Sequence, residues 1–202
     1  MDQLPAFLDC EASSFGRGSY PIAVAWSDAA GAISRCLIDP SSVPAWTDWD
    51  PAAERIHGID RDRLARHGLP PAEVARRLEA DLAGGCAHSD APDYDGRWLG
   101  ELFARALGRP PRFALAHADE VLLPRLLRPG ELMYQAVSRL DALKSRLRPL
   151  MAGAHDAGYD VGYLIQLWRA AGGAPVKMNH GAGPLPATTA TGTFIRVRRE
   201  PG

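Results

Sequence analysis

The sequence predicts an α/β domain built on a five-stranded mixed sheet with helices on both faces. Two observations carry that reading. Residues 5–39 hold three short apolar runs, the last two joined by a turn signal, as in an antiparallel meander. Beyond Pro70, short β-like runs alternate with amphipathic helical stretches, the pattern that lays further strands parallel to the first. A chain of 202 residues, 46% hydrophobic and 23% charged, is long enough to bury one sizeable core.

The first strand spans residues 5–12. The second and third run from Pro21 to Ser27 and from Ile33 to Asp39, joined by Asp28-Ala29-Ala30-Gly31, a hairpin turn. Residues 40–60, rich in Pro, Ser, Trp and Asp, read as a loop with a short helix around Ala52–His57. Pro70-Pro71 opens a helix to about Ala83, with Val74, Leu78 and Leu82 on one stripe, and Gly84-Gly85 closes it. Cys86–His88 is a fourth strand, 94–107 a helix stopped by Gly108, and Phe113–Ala116 a fifth strand. Helices follow at 119–127, 131–147 and 159–171. The expected domain therefore covers residues 1–172. Residues 173–202, rich in Gly, Pro and Thr and ending near the basic run 193–199, read as a flexible extension.

The formal net charge of −1 rules out a global basic field for long nucleic acid, so any such partner must be held locally or through metal ions. No apolar stretch approaches a membrane span, and no basic segment followed by an apolar one opens the chain. Cys10, Cys36 and Cys86 are scattered and odd in number. They fit neither disulfides nor zinc, and point to a reducing, cytoplasmic setting.

Asp9 and Glu11 flank Cys10 in the first strand, so strand alternation puts both acids on one face, with Leu8, Cys10 and Ala12 on the other. Adjacent carboxylates raise each other's pKa unless a cation neutralises them. Such a pair is either the wet face of an edge strand or half of a divalent-metal site. Asp95 heads the apolar stripe Trp98, Leu99, Leu102, and Asp160 heads Tyr163, Leu164, Leu167, Trp168. Either alone is an ordinary acid at a helix N-terminus. Together they send two carboxylates toward the core, with no Lys or Arg on either stripe, which is costly without a cation. His155 stands five residues before Asp160. In one helix the two would sit roughly 140° apart, so His155 reaches the same site only by preceding the helix, which Gly158 permits.

Asp9-x-Glu11, Asp95 within Tyr-Asp-x-x-Trp-Leu, and His155-x4-Asp160 resemble the DEDDh 3′–5′ exonucleases of the RNase H-like superfamily, which include proofreading exonucleases, RNase T and oligoribonuclease. Ile56-His57-Gly58-Ile59 is similar to the family's His-Gly-Ile segment lining the nucleotide pocket. The likeness covers about residues 5–171. The sequence departs from the pattern in two places. Ser13-Ser14 replaces the usual threonine after the first motif, keeping a hydroxyl. His88-Ser89 replaces a His-Asn, and Asp90, Asp93 and Asp95 then compete for one role. The register of Tyr94 and Trp98-Leu99 selects Asp95, with Asp93 as the alternative.

The resemblance implies an RNase H-like fold and two-metal phosphodiester hydrolysis. Two Mg²⁺ or Mn²⁺ ions would be held by Asp9, Glu11, Asp95 and Asp160, with Asp9 bridging. His155 would act as general base, and nucleoside 5′-monophosphates would leave single-stranded DNA or RNA 3′ ends. His57, Ile59, Phe15 and Ser13 would bind the substrate. Trp46 and Trp49 read as loop packing. Homodimers occur among such enzymes, although no surface in this sequence argues for one. Two other functions fit the same residues: a binding or regulatory module of this fold, and a phosphoesterase on small nucleotides.

Overall fold

A computed structural model describes residues 3–151 and 156–174. Strands β1 (Ala6–Ala12), β2 (Pro21–Ser27), β3 (Ile33–Leu37), β4 (Cys86–Ser89) and β5 (Ala114–His117) form one sheet in the order β3-β2-β1-β4-β5. β1, β2 and β3 pair antiparallel, while β1–β4 and β4–β5 pair parallel. The mixed sheet, three antiparallel strands continued by parallel ones, is the predicted architecture. Its helices are α1 (Pro51–His57), α2 (Arg61–His67), α3 (Pro71–Leu82), α4 (Pro92–Leu107), α5 (Asp119–Leu126), α6 (Met133–Leu147) and α7 (Ala157–Ala171). Among the described residues no helix is long and apolar enough to cross a membrane.

Strand alternation splits the core into two layers. Leu8, Cys10 and Ala12 of β1, with Ile22, Val24 and Trp26 of β2, pack against Val74 and Leu78 of α3 and Leu99, Leu102 and Phe103 of α4. Phe7 and Ala25 face the other way, onto Leu122 of α5, Leu140 and Leu143 of α6 and Val161, Leu164 and Ile165 of α7. All of β2 is buried because both layers cover it. Asp9 and Glu11 follow Phe7 at even steps, so they lie on the α7 side.

Two features shape the carboxyl end of β1. Its pairing with β4 covers only Ala6 and Phe7, so the two parallel strands part before the acids. The register with β2 shifts between Glu11 and Ala12, a bulge of the sort that re-aims side chains. A crevice beyond the carboxyl ends of parallel strands is where open α/β sheets take their ligands.

Helix α2 is the element the sequence pattern misses. Its only core residue is Leu64, so there is no apolar stripe. Its signals are local: Asp60 accepts the Arg63 N–H at 2.6 Å as N-cap, and Gly68 closes the end. Helix α4 begins at Pro92, two residues before the predicted start, since proline suits the first turn. Residues 175–202, nearly all of the predicted extension with its basic run, lie outside the described residues.

Candidate active site

The acids of β1 meet Asp160 from the first turn of α7. One oxygen from each of Asp9, Glu11 and Asp160 lies within 4.8 Å of the other two, a spacing that could hold a metal ion. Asp156 caps α7, accepting the Gly158 N–H at 2.9 Å, and faces Arg35 Nη1 of β3 at 3.5 Å, which fixes where the helix begins.

Asp95 arrives from the opposite layer, in the first turn of α4, and is 1% exposed. Its Oδ1 accepts the Cys10 N–H at 3.2 Å, where β1 has parted from β4. Its Oδ2 accepts the Ser89 hydroxyl, which also receives the Ala91 N–H at 2.9 Å. It is not one of the three carboxylates clustered around the candidate ion position. Of the three acids competing for this role, Asp90 and Asp93 are exposed.

Electrostatics separate these groups from ordinary surface acids. Burial first, then the Asp95, Asp160, Glu11 and Asp90 charges, holds the Asp9 pKa well above the usual carboxylate range. Burial and the Asp160, Asp156 and Asp95 charges push Glu11 up to about 8. Asp95 is pushed up to about 7 by burial and Asp90, against the downward pull of its Ser89 and Cys10 hydrogen bonds. Neither Asp9 nor Glu11 has a salt-bridge partner among the described residues. An all-carboxylate group raised in this way by burial and like charges takes up a proton or a cation. Its oxygen donors suit hard divalent ions such as Mg²⁺ or Mn²⁺.

A cavity of about 170 Å³ opens beside the acids. Asp9, Glu11 and Asp95 line it together with Phe15, Ile56, His57 and Tyr94. His57 is buried, and its Nδ1 accepts the Ile59 N–H at 3.1 Å across Gly58, whose φ of 66° makes the tight return. That bond places the proton on Nε2, which is buried without a hydrogen-bond partner in the described structure. Burial lowers the His57 pKa, against Glu54 and the nearby Ala12 backbone, and so favours the neutral ring.

Not every predicted residue reaches this cavity. Phe15 and His57 line it, whereas Ile59 is buried in the α3/α4 core and Ser13 is 1% exposed. Ser13 Oγ accepts the Tyr20 N–H at 3.2 Å, so its hydroxyl is a turn fastener; Ser14, the next residue, lines the cavity instead. His155 lies outside the described residues. Trp46 stacks on Tyr20 with centroids 5.1 Å apart and donates to Glu101, and Trp49 donates to Glu54, so both pack the loop as expected. Ser89, Tyr94 and Ile56 also stand at the site, although the motifs give them no role of their own. For Ser89 the signal lies in the sequence: the hydroxyl that replaces an asparagine is the group that holds Asp95.

Structural neighbours place this fold. Exonuclease I from Methylocaldum szegediense superposes with a TM-score of 0.57 at 22% identity, over 82% of this chain and 40% of that one. E. coli exonuclease I in complex with a dT13 oligonucleotide gives 0.56 at 19%, over 79% and 39%. The zinc-bound form of the E. coli enzyme with single-stranded DNA gives 0.56 at 19%, over 81% and 39%. The chain thus spans about two fifths of the length of these proteins, and at such identity the likeness is one of fold. No family model matches the sequence, and no curated protein matches it.

Proposed function

We propose that this protein is a metal-dependent 3′–5′ exonuclease that hydrolyses phosphodiester bonds at single-stranded ends and releases nucleoside 5′-monophosphates. The observation that carries the reading is the meeting of Asp9, Glu11 and Asp160 at the carboxyl end of β1, beside a cavity with an apolar wall. The exonuclease I fold and the motif resemblance support it.

In this reading Asp9, Glu11, Asp95 and Asp160 would hold two divalent ions, which would supply positive charge at the scissile phosphate. Ser89 and the Cys10 amide fix the Asp95 carboxylate by hydrogen bonds. His57, Phe15 and Ile56 line the pocket for the terminal nucleotide, where Phe15 and Ile56 cover its apolar surface and exclude water. His155 takes the proton from the attacking water.

The test is a 5′-labelled single-stranded DNA or RNA incubated with Mg²⁺, Mn²⁺ or EDTA, beside Asp9→Ala and His155→Ala. The expected result is a metal-dependent ladder shortening from the 3′ end and absent from both variants. Hydrolysis confined to small phosphodiesters such as p-nitrophenyl thymidine phosphate would move the assignment to a nucleotide phosphoesterase.

A further inference from the structure

Helix α7 packs across β1, β2 and the edge strand β3, and its first turn brings Asp160 to the acids of β1. A cation reaches that turn from the sheet. Arg35 of β3 stands opposite Ala25 of β2, whose side chain belongs to the α7-side core, so the register turns Arg35 toward α7. Its side chain is 12% exposed, a low value for an arginine on an edge strand.

The start of α7 is built around that side chain. Arg35 Nη1 lies 3.5 Å from Asp156 Oδ1, the same oxygen that accepts the Gly158 N–H at 2.9 Å. The Asp156 carbonyl accepts the Tyr159 N–H at 2.7 Å and the Asp160 N–H at 3.2 Å. The stem of Arg35 passes over Gly158, where a Cβ would meet Asp156 Oδ1 at 2.9 Å and Arg35 Cδ at 3.4 Å. Side chain and backbone of Asp156 therefore both hold the turn that carries Asp160, and Arg35 holds Asp156.

A well-packed apolar pair would stabilise so covered a position at least as well as an ion pair does. What the ion pair adds is direction. Metal ligands work only when held within about 0.5 Å of their productive geometry, which their supporting contacts must enforce. Asp156 also lies close enough for its charge to act on Glu11, so a swing of that carboxylate would disturb the candidate ion position.

We propose that Arg35 is a positioning residue for the metal centre: paired with Asp156, it fixes the first turn of α7 and so the direction from which Asp160 meets Asp9 and Glu11. This role presupposes the metal-dependent nuclease reading above. Arg35 touches neither ion nor substrate and acts through Asp156.

The experiment measures Mn²⁺ binding by calorimetry, without nucleic acid, at a temperature where every variant is folded. Arg35→Gln should weaken Mn²⁺ about tenfold, the size expected when a contact behind a metal ligand is lost. In the nuclease assay it should lower kcat and leave the KM for the strand unchanged. Arg35→Lys should recover part of both losses. Adding Asp156→Asn, which keeps an acceptor for the Gly158 N–H, to Arg35→Gln should weaken Mn²⁺ no further. Gly158→Ala, which displaces the same contacts, should reproduce the loss. A purely structural role would lower the melting temperature of Arg35→Gln and leave Mn²⁺ affinity intact, and loss of a nearby positive charge alone would tighten it. Either result overturns the positioning role and leaves the nuclease reading standing, as does a further loss in the double variant. Failure of the wild type to bind Mn²⁺ overturns both.

Discussion

Two carboxylate regions, one buried and one half-buried, lie side by side at the end of β1, and the fold treats them differently. Asp95, on the α4 side, is deeply buried but accepts hydrogen bonds from the Cys10 amide and the Ser89 hydroxyl. Asp9 and Glu11, on the α7 side, have no salt bridge among the described residues and face Asp160 across less than 4.8 Å. Those donors offset part of the cost of burying the Asp95 carboxylate, which burial still raises to about 7. Carboxylates surrounded by other carboxylates carry an electrostatic debt that only a proton or a cation removes. The difference marks Asp95 as the anchored member and the β1 acids as the members that wait for an ion.

The most severe way to break this contrast is Asp9→Asn. We expect phosphodiester hydrolysis to fall by about a thousandfold, roughly 4 kcal/mol of transition-state stabilisation. The same substitution removes a repelling charge, so thermal unfolding without metal should move to higher temperature. Activity assays and calorimetry on one preparation check both signs. A loss of stability would mean that Asp9 is held by contacts that favour its charge.

Metal addition sharpens the comparison next. Mg²⁺, Mn²⁺ or Ca²⁺ at about a hundred times its Kd should stabilise the protein by about 2.7 kcal/mol, reversibly with EDTA. Glu11→Gln and Asp160→Asn should blunt the response. An undiminished shift in those variants would place the ion elsewhere.

Protons should act in the same direction as metal. The Glu11 pKa rises from 4.5 to about 8 on folding, so between those values the unfolded chain has lost a proton that the native state keeps. Stability therefore falls as pH rises through that window and levels off above it. Asp95, raised to about 7, adds to the same slope. Metal-free protein should melt at higher temperature at pH 5 than at pH 8, and Glu11→Gln should flatten the dependence. An unchanged slope in that variant would remove Glu11 from the account.

Much of this arrangement is legible in the sequence because it follows from short periodicities. Strand alternation alone puts Asp9 and Glu11 on one face, and the stripes behind Asp95 and Asp160 give those helices a buried side. What escapes is anything settled by tertiary approach. Ile59 reads as a pocket residue beside His57, yet after the turn at Gly58 it joins the core. Tyr94 marks the register of a motif, and its exposure appears only once α4 is set against the loop that carries Phe15. Helix α2 depends on caps rather than on a stripe, so periodicity is blind to it.

Ser89→Ala tests the anchored side and should have the smallest effect. Removing the hydroxyl takes one donor from a buried carboxylate, at a cost of about 1–3 kcal/mol in stability. Because that hydrogen bond pulls the Asp95 pKa down, its loss should send the pKa higher, so that near neutral pH more of the group is protonated. Metal affinity should then fall modestly at pH 7, recover at higher pH, and be restored by Ser89→Thr. Titration of metal binding against pH in the three proteins reads this directly. If Ser89→Ala proved as damaging as Asp9→Asn, and high pH did not rescue it, the contrast would collapse. The Ser89 hydroxyl would then be holding the metal centre together rather than offsetting the cost of burying one anchored ligand.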